Sequence, residues 1–160
     1  MIPQFAVLTS DEKELMHDAI PLITLFIAYA DGEMDDQERT WAEKITEIRS
    51  YSAHDSLLNY YEEVGINLQE KLDQKLADLP DDNNLRMAEI SNRLRGLNEI
   101  FPKLDQVFAW RFYESLLSFA EHVAKASGGF LGWAAISKEE KEVIGLKMIK
   151  PVVLEEEPED

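Results

Sequence analysis

Residues 19–30 read AIPLITLFIAYA, and Thr24 is the only polar side chain among them. An apolar run this dense does not make one stripe on a surface helix. It makes a rod buried on nearly every side, around which the rest of the chain must wrap. It is too short to span a bilayer, which takes about 20 residues. The run ends abruptly. Gly32 supplies the backbone freedom with which helices commonly end, and five carboxylates, Asp31, Glu33, Asp35, Asp36 and Glu38, fall within eight residues. Asp35 followed three positions later by Glu38 fits a capping box for a second helix, and Trp41, Ala42, Ile45 and Ile48 then recur at helical spacing. Carboxylates favour the N-terminal end of a helix dipole, but five so close repel one another, and a hard cation relieves that repulsion. The plainer reading of the same side chains is a capped helix with solvated acids. The spacing is not that of an EF-hand: with Asp31 in first position, Asp36 falls where glycine is needed and Ala42 where the closing glutamate belongs.

Charge and composition narrow the function classes. The 32 acidic and 16 basic residues give a net charge of −16, which repels a phosphate backbone or an anionic membrane and attracts cations and basic partners. There is no cysteine, hence no thiolate nucleophile, disulfide or sulfur-ligated zinc. The opening MIPQFAVLTSDEK lacks the basic start and long apolar run of a signal peptide, and the expected location is the cytoplasm.

In chain order, Thr9 and Glu12 form a capping box, with Ser10 as the alternative cap. The spacing predicts a first helix over 10–30, bent at Pro21, which should free the carbonyl of His17. Further helices are predicted over 35–49, 53–64, 67–78, 83–99 and 103–127, the last carrying a stripe of Phe108, Phe112, Leu116, Phe119 and Val123. Pro102 suits the start of that helix. No strand alternation occurs. The start of the chain is echoed near its end: Ala124 to Gly129 closes one helix as Ala28 to Gly32 closes another, and Ser137 with Glu140 makes a further capping box ahead of Val143, Ile144 and Met148. The second copy inserts FLGWAAI, and Ser127 stands where the first has Asp31. The expected architecture is all-α, a single compact bundle of about seven helices with an internal pseudo-two-fold repeat over 1–150. Residues 151–160 form an acidic tail.

The segments Ala30-Asp31-Gly32-Glu33-Met34-Asp35-Asp36-Gln37-Glu38, Ser127-Gly128-Gly129 and Ile136-Ser137-Lys138-Glu139-Glu140-Lys141 resemble the TerB-like family, which includes a tellurite-resistance protein. They bracket most of residues 10–150, while 50–100 match only as helices. The resemblance implies an all-helical fold with internal pseudo-symmetry, a link to tellurite and other stress, and acidic residues that bind metal. Those residues map here onto Asp31, Asp35 and Glu38, with Glu140 in the second copy. Ser127 and the inserted segment depart from a symmetric pair of sites.

Other chemistry is thinly represented. Glu14 and His17 have the Glu-x-x-His spacing of di-iron proteins, but such a site needs two copies and the chain has one. His54 and His122 read as surface histidines. No phosphate loop or nucleophile elbow occurs, and nothing specifies an enzyme. Two expectations remain. One is a non-catalytic module holding Ca²⁺, Mg²⁺ or Mn²⁺ on Asp31, Asp35 and Glu38. The other is an adaptor that binds a protein partner, without metal, through its acidic face or through residues 130–136, where Phe130, Leu131 and Trp133 sit in a glycine-flanked segment.

Overall fold

Thr9 starts the central helix as its sequence requires. Its hydroxyl accepts from the Glu12 amide at 3.2 Å, and the Glu12 carboxylate accepts from the Thr9 amide at 2.9 Å, so both halves of the capping box form. The helix, α1, spans Ser10–Ala28 and runs through Pro21 without interruption. Residues 18–28 are buried throughout, the outcome expected of a rod with almost no polar face. Thr24 keeps its place there by donating to the Ile20 carbonyl at 2.8 Å. The protein, represented by a computed structural model, is described over residues 2–30, 32, 34, 36–126 and 143–154.

Among the described residues six further helices surround α1: α2 (Asp36–Ser52), α3 (Asp55–Gly65), α4 (Leu68–Asp78), α5 (Asn83–Arg95), the single turn α6 (Leu97–Ile100) and α7 (Gln106–Ala126). Short 3₁₀ turns lie at Pro3–Phe5 and Phe101–Lys103, and no strand occurs among the described residues. Helix α1 packs against α2, α3, α4, α5, α6 and α7, while α2 and α3 pair as a hairpin and α2 also meets α7. At one end the N-terminal Phe5 inserts edge-on among Tyr60, Phe108 and Phe112, an arrangement favoured by the charge distribution of aromatic rings. Tyr60 donates to the Met16 carbonyl at 2.7 Å, which satisfies its buried hydroxyl.

Several boundaries differ from expectation, each for a local reason. The helix predicted over 83–99 stops at Arg95. At Gly96, which has no Cβ, the chain passes close to α1: an added Cβ would stand 2.8 Å from Leu15 Cδ2, and the helical turn α6 resumes at Leu97. The long aromatic helix begins at Gln106 rather than 103. Pro102 belongs to the preceding 3₁₀ turn, and Asp105 caps α7 by accepting from the Phe108 amide at 3.0 Å. The short helix expected to carry Val143, Ile144 and Met148 does not reach the last two: Val143 is helical, and turns follow over 144–149. Leu146 has a φ of 45°, which no helix continues through, and Leu146 and Ile149 are the residues buried. Asn98 holds this segment from both sides, donating to the Met148 carbonyl at 2.9 Å and accepting from the Lys150 amide at 2.7 Å.

Candidate functional site

The connection between α1 and α2 is built as the glycine demands. Gly32 has a φ of 98°, a conformation glycine adopts without steric cost, and its amide donates to the Tyr29 carbonyl at 2.9 Å. The end of α1 is also tied from outside: Asn83 donates to the same carbonyl at 3.1 Å, and the Arg86 guanidinium lies 4.3 Å above the Tyr29 ring. On the far side of the turn, Arg39 fastens the start of α2 to α4, donating to Gln69 Oε1 at 2.9 Å and to Asp73 at 2.8 Å.

Of the four residues expected to hold a cation, Glu38 is described, and Asp31, Asp35 and Glu140 lie outside the described residues, as does the 130–136 segment. Glu38 occupies the first turn of α2 and is only 2 % exposed. Its neighbour Asp36 is exposed to solvent. Among the described residues no three metal-ligating side chains converge.

The histidines have structural partners. His17 does not form a metal pair with Glu14: its Nδ1 donates to the Lys13 carbonyl at 2.9 Å, and its Nε2 faces Glu63 on α3 at 3.1 Å. Nδ1 is thereby used within α1, and Nε2 joins α1 to α3. His54 is the N-cap of α3, its ring accepting from the Ser56 amide at 3.2 Å. His122 accepts from Arg49 at 3.1 Å through Nδ1, which leaves its proton on Nε2. Burial, with the charges of Arg49 and Lys125 behind it, lowers the His122 pKa below the usual imidazole value and keeps the ring neutral.

Arg49 is the residue that periodicity does not reveal. From the last turns of α2 it reaches α7, where Nη1 donates to the Ser115 carbonyl at 2.9 Å and to Ser115 Oγ at 3.1 Å, and Nη2 to Ser118 Oγ at 2.5 Å. Nη1 also donates to the Tyr61 hydroxyl at 2.9 Å, and the guanidinium lies 5.3 Å from the Tyr61 ring and 5.7 Å from that of Phe119. Tyr61 and Ser115 are themselves hydrogen-bonded. Only the appearance of Ser118 on the polar side of α7 signals this junction in the sequence.

A second feature of α2 departs from expectation. Ala42 and Ile45 are buried, but Trp41 is 42 % exposed, Ile48 41 % and Tyr51 71 %. The stripe read as one apolar face is two, one turned to the core and one to solvent. Lys44 covers part of the outer one, its ammonium 5.2 Å from the Trp41 ring. No helix of the described residues is long and apolar enough to cross a membrane. Comparison with protein-family models, curated proteins and solved structures returns no match.

Proposed function

We propose that the chain is a non-catalytic acidic helical module of the TerB-like kind that holds a divalent cation in the turn between α1 and α2. Glu38 carries this reading: it is a carboxylate removed from water at the start of α2, next to a bend to which Asp31 and Asp35 belong in sequence. Oxygen-only donors suit Ca²⁺, Mg²⁺ or Mn²⁺ rather than softer ions, and Glu140 would contribute through the second copy. The pseudo-two-fold repeat, the cytoplasmic location and the link to tellurite stress are further parts of this proposal and rest on the family resemblance. The test is thermal unfolding in chelator and then with each ion. An ion present at 100 times its Kd stabilises by about 2.7 kcal/mol, a shift of several degrees for a domain of this size. Asp31→Asn and Glu38→Gln should each erase the shift. A midpoint that no ion moves would remove the cation from the proposal.

The outward face of α2 favours a second role, as an adaptor. Trp41, Ile48 and Tyr51 lie along one side of the helix, with Lys44 over the Trp41 ring and Glu47 one turn before Tyr51. Three apolar anchors suit the apolar face of an amphipathic helix, and the chain's net charge of −16 favours one with basic flanks. A synthetic helix with leucines at i, i+4 and i+7 and lysines on its flanks should shift the tryptophan emission of the protein to the blue. Ile48→Asp should abolish that shift, and Trp41→Phe should remove the reporter. An equal response from the Ile48→Asp protein would discard this surface.

A further inference from the structure

We infer that the cleft between the α2–α3 corner and α7 binds a small oxyanion, of the class of a phosphate monoester. The cleft has a volume of about 400 Å³ and is lined by Arg49, His54, Arg111, Ser115 and Ser118, with Trp110 and Leu57 supplying apolar wall. The argument starts from Arg49. Its guanidinium is partly buried, and its hydrogen-bond partners are hydroxyls, a carbonyl and a neutral imidazole. Among the described residues no carboxylate pairs with it. A chain with twice as many acids as bases has therefore set a cation at this cleft without an anionic partner, where a buried charge ordinarily has one.

The groups around it make the polarity of the cleft one-sided. Ser118 Oγ accepts from Arg49, so its own hydrogen is left to donate. Tyr61 and Ser115 both accept from Arg49 and share one hydrogen between them, so one hydroxyl hydrogen of that pair also remains. His54 accepts through Nδ1, which places its proton on Nε2. These are donors, and the Arg49 charge polarises the hydroxyls into stronger ones. Arg111 and Glu114 also line the cleft, and the donors named above belong to Arg49, Ser118, His54 and the Tyr61–Ser115 pair. Such a set suits an anion with several acceptor oxygens. The volume leaves room beyond the anion for a small organic group against Trp110. This site shares no residue with the α1–α2 turn and stands whether or not that turn holds a metal.

The experiment is a titration with inorganic phosphate, and in parallel with phenyl phosphate, at ionic strength held constant with sodium chloride. Amide chemical shifts and the unfolding midpoint are both read. The expected result is saturable movement of the His54, Ser115 and Ser118 amides with a millimolar Kd for phosphate, a rise in the midpoint, and tighter binding of phenyl phosphate. Ser118→Ala should weaken binding about tenfold, the loss expected for one charge-assisted hydrogen bond. Ser118→Asp supplies the absent carboxylate from within, and should raise the midpoint without ligand and abolish the response to phosphate. Movement that does not saturate in the unaltered protein would overturn the inference, and so would binding that survives undiminished in both variants.

Discussion

Asp18 is 6 % exposed in the side of α1, between Lys75, whose ammonium stands 2.7 Å from Oδ2, and Lys71, 3.5 Å from Oδ1. A carboxylate there is tolerated because α4 brings positive charge to it, and the exchange of hydration for Coulombic attraction leaves little net gain. Breaking the arrangement from one side is a different matter. Lys75→Met leaves the carboxylate with only the more distant lysine, and should destabilise the fold by about 3 kcal/mol, as for other half-broken buried pairs. Combining it with Asp18→Leu should recover most of that loss, because no uncompensated charge then remains inside. Urea unfolding of the two single variants and the double variant measures the difference, and a strictly additive double variant would refute the account. Neither lysine announces itself in the sequence as a partner of Asp18, since Lys75 lies 57 positions away and Lys71 belongs to the same distant helix. The same holds for Arg49, whose partners on α7 are 66 to 73 positions away. Hydrophobic periodicity reports which side of a helix is wet or dry. It carries no register between helices.

At the scale of the element, the signals that were legible are those that act within one turn. The box at Thr9, the glycine exit at Gly32 and the breaker before Asn83 all lie where local chemistry puts them. The end of α5 and the start of α7 were displaced where the chain meets Leu15 at Gly96 and where Asp105 caps α7. The α1 cap also predicts a pH effect. Lys103 donates to the Glu12 carboxylate at 2.5 Å, and with the Thr9 amide it holds the Glu12 pKa below its usual value. A carboxyl group whose folded-state pKa is depressed adds stability above its unfolded pKa, and that stability is lost as the pH falls through the folded value. Glu12→Gln should therefore lower the midpoint at neutral pH and leave it little changed in strong acid. Thr9→Ala should cost about 1 kcal/mol through loss of the cap itself. Midpoints of both variants compared with the unaltered chain from pH 7 to pH 2 test the pair, and a Glu12→Gln deficit that persists undiminished at pH 2 would contradict it.

For the molecule as a whole, the all-helical class and the buried central helix were legible because a run such as residues 19–30 admits no other placement. The candidate sites were less so. The acidic turn could be located but not shaped from its sequence, since carboxylates with the same spacing serve equally as caps, ligands or solvated charge. The outward stripe on α2 was hidden because Trp41 and Ile48 share the helical spacing of Ala42 and Ile45, and only the angle at which α2 rests on its neighbours separates the two rows. The enclosure of α1 has one more consequence. Each outer helix that leans on it would, on leaving, uncover a length of hydrocarbon that none of the others can reach across to shield. Among the described residues, losing any one of these helices would expose apolar surface of α1, which favours opening as a single cooperative unit.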